Sequence, residues 1–254
     1  MRKFAFTVAL LALGWLAGGA AFAQSVPRSY AVISEVARQV SVVSAQPSIG
    51  SRLDSNQRQR IDVPDGALDK VFLLTTQAAL KRLGPPSTVW LLAPADSDFF
   101  PPSNFSDGAT VKMPEDLAAA LKERQSTHLL LYTRHRAEPD LRFDNSTDGT
   151  GTFEGLGYYV DQLTRVRDTN TNLVAIGYLA SFAHFRVTLI DVASSRVVRT
   201  MTTRANFITP VASAQGQSAH PWNTLTPAQK MAQLRDLVIK EVDRMLPELT
   251  KAQP

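Results

Sequence analysis

The residues whose types and spacing could do chemistry begin with Arg134, His135 and Arg136, which follow directly on the apolar run at residues 129–132. A strand that delivers Arg-His-x-x-Glu at its end could present an imidazole to phosphorus while guanidinium groups hold the oxygens. That chemistry would make the chain a phosphate-ester hydrolase. The competing reading, which we prefer, is a strand end whose basic side chains face solvent or pair with nearby carboxylates. A second pattern is Asp144, Ser146 and Asp148 followed by Gly149, with Glu154 beyond. Oxygens at alternate positions ahead of a glycine suit calcium. Glu154 falls one position short of a full loop, however, and Asp, Asn and Gly dominate plain turns for local reasons, so a turn is the expectation here. The third group is aromatic: Phe99, Phe100 and Phe105 lie among prolines and aspartates in residues 94–113, a loop long enough to bind a partner or to pack its own rings.

Other chemistries find no support in the spacing. The chain has no cysteine, so a cysteine nucleophile, a thiolate metal site and a disulfide are all excluded. His128, His184 and His220 are not spaced as zinc ligands. No Gly-x-Ser-x-Gly elbow occurs, and Gly155-Leu-Gly157 lacks the strand and helix that a dinucleotide loop requires. Those two glycines are better read as a bulge or a close backbone approach. No cofactor is implied.

The elements that must position these residues alternate at first. Residues 30–43 are rich in Val and Ile with an imperfect two-residue period, which predicts a strand, and residues 61–63 a short return strand after a polar turn. Leu68, Val71, Phe72, Thr75, Ala79 and Leu83 recur at helical spacing until Gly84-Pro85-Pro86 ends the helix. Residues 88–93 predict a buried strand, residues 114–124 a short helix with Pro114 at its start and two acids in its first turn, and residues 128–133 a further buried strand. After Arg136 the period becomes two, with strands predicted at 155–163, 178–191 and 196–207 and a tight turn between the last two. The final helix, residues 227–246, is entered by a capping box at Thr226 and Gln229 and carries one apolar stripe from Met231 to Leu246. The fold class expected is α/β: a single mixed sheet, parallel in the N-terminal half and antiparallel in the C-terminal half, flanked by about three helices in one domain over residues 24–254.

Residues 1–23 read as a cleavable export signal: Arg2 and Lys3, an apolar run at 4–16, and Ala21-Phe22-Ala23 ahead of the cut. An apolar run of 13 residues is short of the roughly 20 that span a bilayer, so no stable membrane anchor is expected. The compartment expected is the periplasm, with release beyond the cell as the alternative. Removing Arg2 and Lys3 from the 27 basic residues leaves 25 against 23 acidic ones, a net charge of +2 and too little to imply a nucleic-acid partner.

Two resemblances accompany these readings. The Arg134-His135 strand end resembles the opening motif of the histidine phosphatases, although Arg136 stands where that family has glycine. The order of elements over residues 30–246, with the helix closed by Gly84 and the hairpin around Asp191, resembles the small α/β domains of bacterial envelope accessory proteins. These include the curli-secretion channel protein and the lipoprotein activators of penicillin-binding proteins, a group whose hairpin often has Thr-Gly where Ser194-Ser195 stands here. The resemblance implies a non-catalytic binding or accessory module whose partner is another envelope protein or a cell-wall component. The phosphate-ester hydrolase and the calcium-binding protein are the alternatives.

Overall fold

The computed structural model describes residues 28–47, 54–84, 87–93, 105–143, 146–167, 174–211 and 220–251. The predicted export signal, Phe99, Phe100 and Asp144 lie outside them, as does the side chain of Ser146. In chain order come β1 (Ser29–Ser34), β2 (Gln39–Ser44), β3 (Gln57–Asp62), α1 (Ala67–Leu83), β4 (Thr88–Leu92) and α2 (Glu115–Glu123). Then follow β5 (His128–Arg134), β6 (Arg136–Ala137), β7 (Leu141–Phe143), β8 (Ser146–Asp148), β9 (Phe153–Arg167), β10 (Val174–Asp191), β11 (Arg196–Pro210) and α3 (Pro227–Thr250).

One mixed sheet organises these elements, with β7 and β8 forming a separate hairpin. Its spine is the 18-residue β10. Along one edge β10 pairs antiparallel with β11. Along the other it meets two strands in succession, β9 up to His184 and β5 from Phe185 onward. The next row repeats that division, since β1 lies parallel to β5 and β2 lies parallel to β9. The parallel trio β4–β1–β5 holds one end of the sheet, as the apolar runs at 88–93 and 128–133 predict. The predicted strand over 30–43 is therefore two strands in line, broken at residues 35–38, where the chain passes from one half of the sheet to the other.

Asp69 of α1 holds that break. Its Oδ1 accepts hydrogen bonds from Ser34 Oγ at 2.5 Å, from the Val36 amide at 3.2 Å and from the Ala37 amide at 3.1 Å. Amides at a strand break have lost their ladder partners and must be satisfied otherwise. Close packing completes the join on the far side: a Cβ added to Gly157 of β9 would run into the Ser41 carbonyl oxygen and stand 2.6 Å from Phe182 Cζ, so this glycine is a close backbone approach, as its context suggests.

Both faces of the sheet are covered. On one, Val32, Leu130, Tyr132, Phe185 and Val187 pack against Leu68, Phe72 and Leu80 of α1 and against Leu234, Val238, Val242 and Leu246 of α3. Thr226 and Gln229 form the predicted capping box at the start of α3. The apolar stripes differ from expectation at their rims: Leu83 is 44 % and Met231 36 % exposed, while Leu73, Leu80 and Leu249 are buried in their place. On the other face the cover is split. Leu117 and Leu121 of α2, with Phe105 and Val111, pack on Ile33, Leu129, Leu131 and Ile190, whereas Leu141 and Phe153 pack on Tyr159, Tyr178 and Phe182 further along.

Because all three hydrogen bonds end on one oxygen, Asp69→Ala and Asp69→Asn should separate sharply. The alanine variant strands two buried amides and should lose about 3 kcal/mol in a urea titration. The asparagine variant keeps an acceptor at that atom and should stay within about 1 kcal/mol of the parent. Equal losses in the two variants would contradict the clamp.

Candidate functional site: a cleft at the strand break

The break opens a cleft at the carboxyl ends of β1 and β4, the place where open α/β sheets receive ligands. Its first chamber, about 430 Å³, lies between the end of β1 (Ser34), residues 92 and 93 after β4, and the entry to α1 at Asp65, Gly66, Asp69 and Lys70. Its second, about 290 Å³, has a mostly polar wall formed by Glu35, Gln39, Arg60 and Arg134. Arg38 and Asp62 line both chambers. Arg60 and Arg134 also line a small recess with Ser41 and Glu154. The chain turns into α1 through two residues of positive φ, Asp65 at 56° and Gly66 at 58°.

Charges of both signs meet here. Arg38, Arg60 and Arg134 face Glu35, Asp62 and Glu154 across the second chamber and its recess. Gln39 donates to Asp62 Oδ1 at 2.7 Å, which fixes one lip. Burial raises the Asp69 carboxyl above its ordinary value, and the hydrogen bonds from Ser34, Ala37 and Val36 and the charge of Arg38 only partly offset it. Such a surface suits a polar ligand carrying groups of both signs. In the first chamber the Ser34 hydroxyl donates to the Asp69 carboxyl, whose same oxygen also accepts the two amides of the break.

The residues singled out by the sequence are dispersed. Arg134 and His135 are neighbours at a strand end, and successive side chains alternate faces. Arg134 lines the cleft on the α1 side. His135 instead lies within the fields of Arg186 and Arg204, which together with burial hold its pKa below the ordinary value. Arg136 donates through Nε to Thr152 Oγ1 at 3.3 Å. The imidazole and the guanidinium that would have to share one phosphoryl group are thus not brought together. Phe105 is 9 % exposed and packs under α2, which makes it a core residue. Asp148 accepts a hydrogen bond from the Tyr178 hydroxyl at 3.2 Å, while Glu154 pairs in register with Arg136. Among the described residues no group of three His, Asp or Glu side chains is arranged to hold a metal ion. Also among the described residues, no helix is long and apolar enough to cross a membrane.

No family model matches the chain, and no curated protein is similar to it in sequence. Among solved structures it is similar to a neuraminyllactose-binding hemagglutinin homolog from Helicobacter pylori, at 10% identity and a TM-score of 0.43, over 89% of this chain and 86% of that one. It is also similar to a DUF330 protein from Xanthomonas campestris, at 8% identity and a TM-score of 0.35 over 87% and 85% of the two chains. The PelC dodecamer from Paraburkholderia phytofirmans gives 8% identity and a TM-score of 0.33, over 89% and 90%. None of these is one of the two families whose element order the sequence resembles, and TM-scores this low assign no role.

The raised pKa of Asp69 sets a pH dependence. The folded state holds this proton more tightly than the unfolded chain, so the stabilisation is complete below the ordinary carboxyl value of 3.8 and is lost as pH rises through the folded value. Asp69→Asn removes that loss. Its stability relative to the parent should therefore improve between acid and neutral pH in paired urea titrations, and a difference independent of pH would contradict the assignment.

Proposed function

We propose that the protein is an exported component of the bacterial envelope that works as a non-catalytic binding module, with the cleft at the strand break as its ligand seat. The observation that carries this reading is the meeting of Arg38, Arg60 and Arg134 with Glu35 and Asp62 at the carboxyl ends of the parallel strands. The ligand is a polar segment bearing both charges, such as the peptide part of a cell-wall component or a loop of another envelope protein. Arg60 and Asp62 are exposed at the rim, where charge steers encounter and selects partners. The chain leaves the cleft wall at Ala93, and Phe99 and Phe100 follow shortly in sequence. We assign these two rings to contact with the same ligand.

The test is affinity capture on the immobilised chain from Gln24 onward, using envelope extract and solubilised cell-wall fragments, with Arg60→Glu and Asp62→Lys variants as controls. Ligands retained by the parent should fall about tenfold in each charge-reversal variant. Phe99→Ser with Phe100→Ser should weaken the same ligands while circular dichroism stays unchanged. Equal retention by parent and charge variants would remove the cleft from the function.

A further inference from the structure

The sheet face opposite α1 and α3 holds a second constellation, independent of the cleft. Between the two small cores on that face runs a polar strip. His184 and Arg186 are two residues apart on β10 and therefore share this face. In the register, Arg204 of β11 stands directly opposite His184, while Thr133 and Thr202 flank Arg186 on either side. The His135 amide donates to the His184 carbonyl at 3.0 Å, which brings the end of β5 alongside. Two imidazoles and two guanidinium groups from three adjacent strands are thereby gathered on one patch of sheet.

Opposite charges directly across strands are the favourable arrangement, and like charges repel. Asp140 is the carboxylate that acts on His184 and also on Arg204, and Arg142 already engages it through two hydrogen bonds of 3.1 and 3.0 Å. His184 is fully buried beside Phe153 and Phe182, and neither ring nitrogen has a well-formed hydrogen bond, the Phe153 backbone offering only a weak one. Thr188 Oγ1, next along the same face and also fully buried, has no partner. Buried polar atoms left unmatched in a native fold call for a cause, and an ion is among the ordinary ones.

We propose that this strip is an oxyanion site, in which Arg186, Arg204, His135 and His184 take a phosphate-class anion. The same register that prevents His135 from joining Arg134 puts it with Arg186 and Arg204, so the anion is held and no bond to it is broken. Binding is linked to protonation. Burial, His135 and Arg204 depress the His184 pKa to about 4, and burial, Arg186 and Arg204 depress that of His135. An anion between these groups offsets the repulsion and raises both values, so affinity grows as pH falls below the ordinary histidine range.

The experiment follows the imidazole nitrogens by NMR in the chain from Gln24 onward while inorganic phosphate replaces chloride at constant ionic strength. Signals of His135 and His184 should shift saturably, and their titration midpoints should rise. Arg204→Gln, at an exposed position, should weaken phosphate about tenfold. Arg60→Gln, in the cleft wall, should leave it unchanged. Imidazole signals unmoved by phosphate, or equal affinity in the parent and Arg204→Gln, would overturn the assignment. Loss of phosphate binding in Arg60→Gln would move the anion to the cleft and overturn it equally.

Discussion

Everything distinctive in this molecule depends on one constraint, the need to satisfy a backbone that leaves its ladder at residues 35–38. A sheet of continuous strands would spend those amides on neighbours. Here the strand is interrupted, and a carboxyl from α1 accepts two of them together with the Ser34 hydroxyl. Burying a carboxyl is costly unless it is hydrogen-bonded. Three donors on one oxygen meet that condition, and they lock the start of α1 to the centre of the sheet. The cleft exists because the chain steps aside at this point.

The long strand β10 makes the interruption tolerable. It runs past the break without a gap in pairing, handing over from β9 to β5 between His184 and Phe185. The two half-sheets are therefore joined along an unbroken hydrogen-bonded spine. One face stays uniformly apolar under α1 and α3. The other carries two separate small cores, with the polar strip between them at the handover. Cleft and strip are thus two consequences of a single offset.

Much of this frame was legible in the sequence, and the parts that were not share a cause. Apolar runs and breakers marked α1, β4, α2, β5 and α3 to within a few residues, because burial and the signals at helix ends are local. The same reading joined β1 to β2, since a break satisfied by a side chain from residue 69 leaves only an imperfect period as its local trace. It treated residues 51–60 as turn, because β3 is an exposed strand without apolar alternation. Adjacency in sequence raised a cooperating Arg134 and His135 as the less favoured reading, and adjacency in a strand sends the two to opposite faces. The cleft residues come from five separate stretches of chain, and of them only Arg134 and Glu154 carried a local signal. Phe105 showed how an aromatic in a long loop can belong to the core.

The central claim is that the strand break is where this protein meets its ligand. Hydrogen-exchange mass spectrometry on the chain from Gln24 onward, with and without a ligand recovered from the envelope, tests it most directly. The account predicts new protection in residues 34–39 and 57–70 and around Arg134, with the outer edge of β11 unchanged. Protection confined to β11, or to the end of the β9–β10 hairpin where Leu163 and Ile176 are exposed, would contradict it.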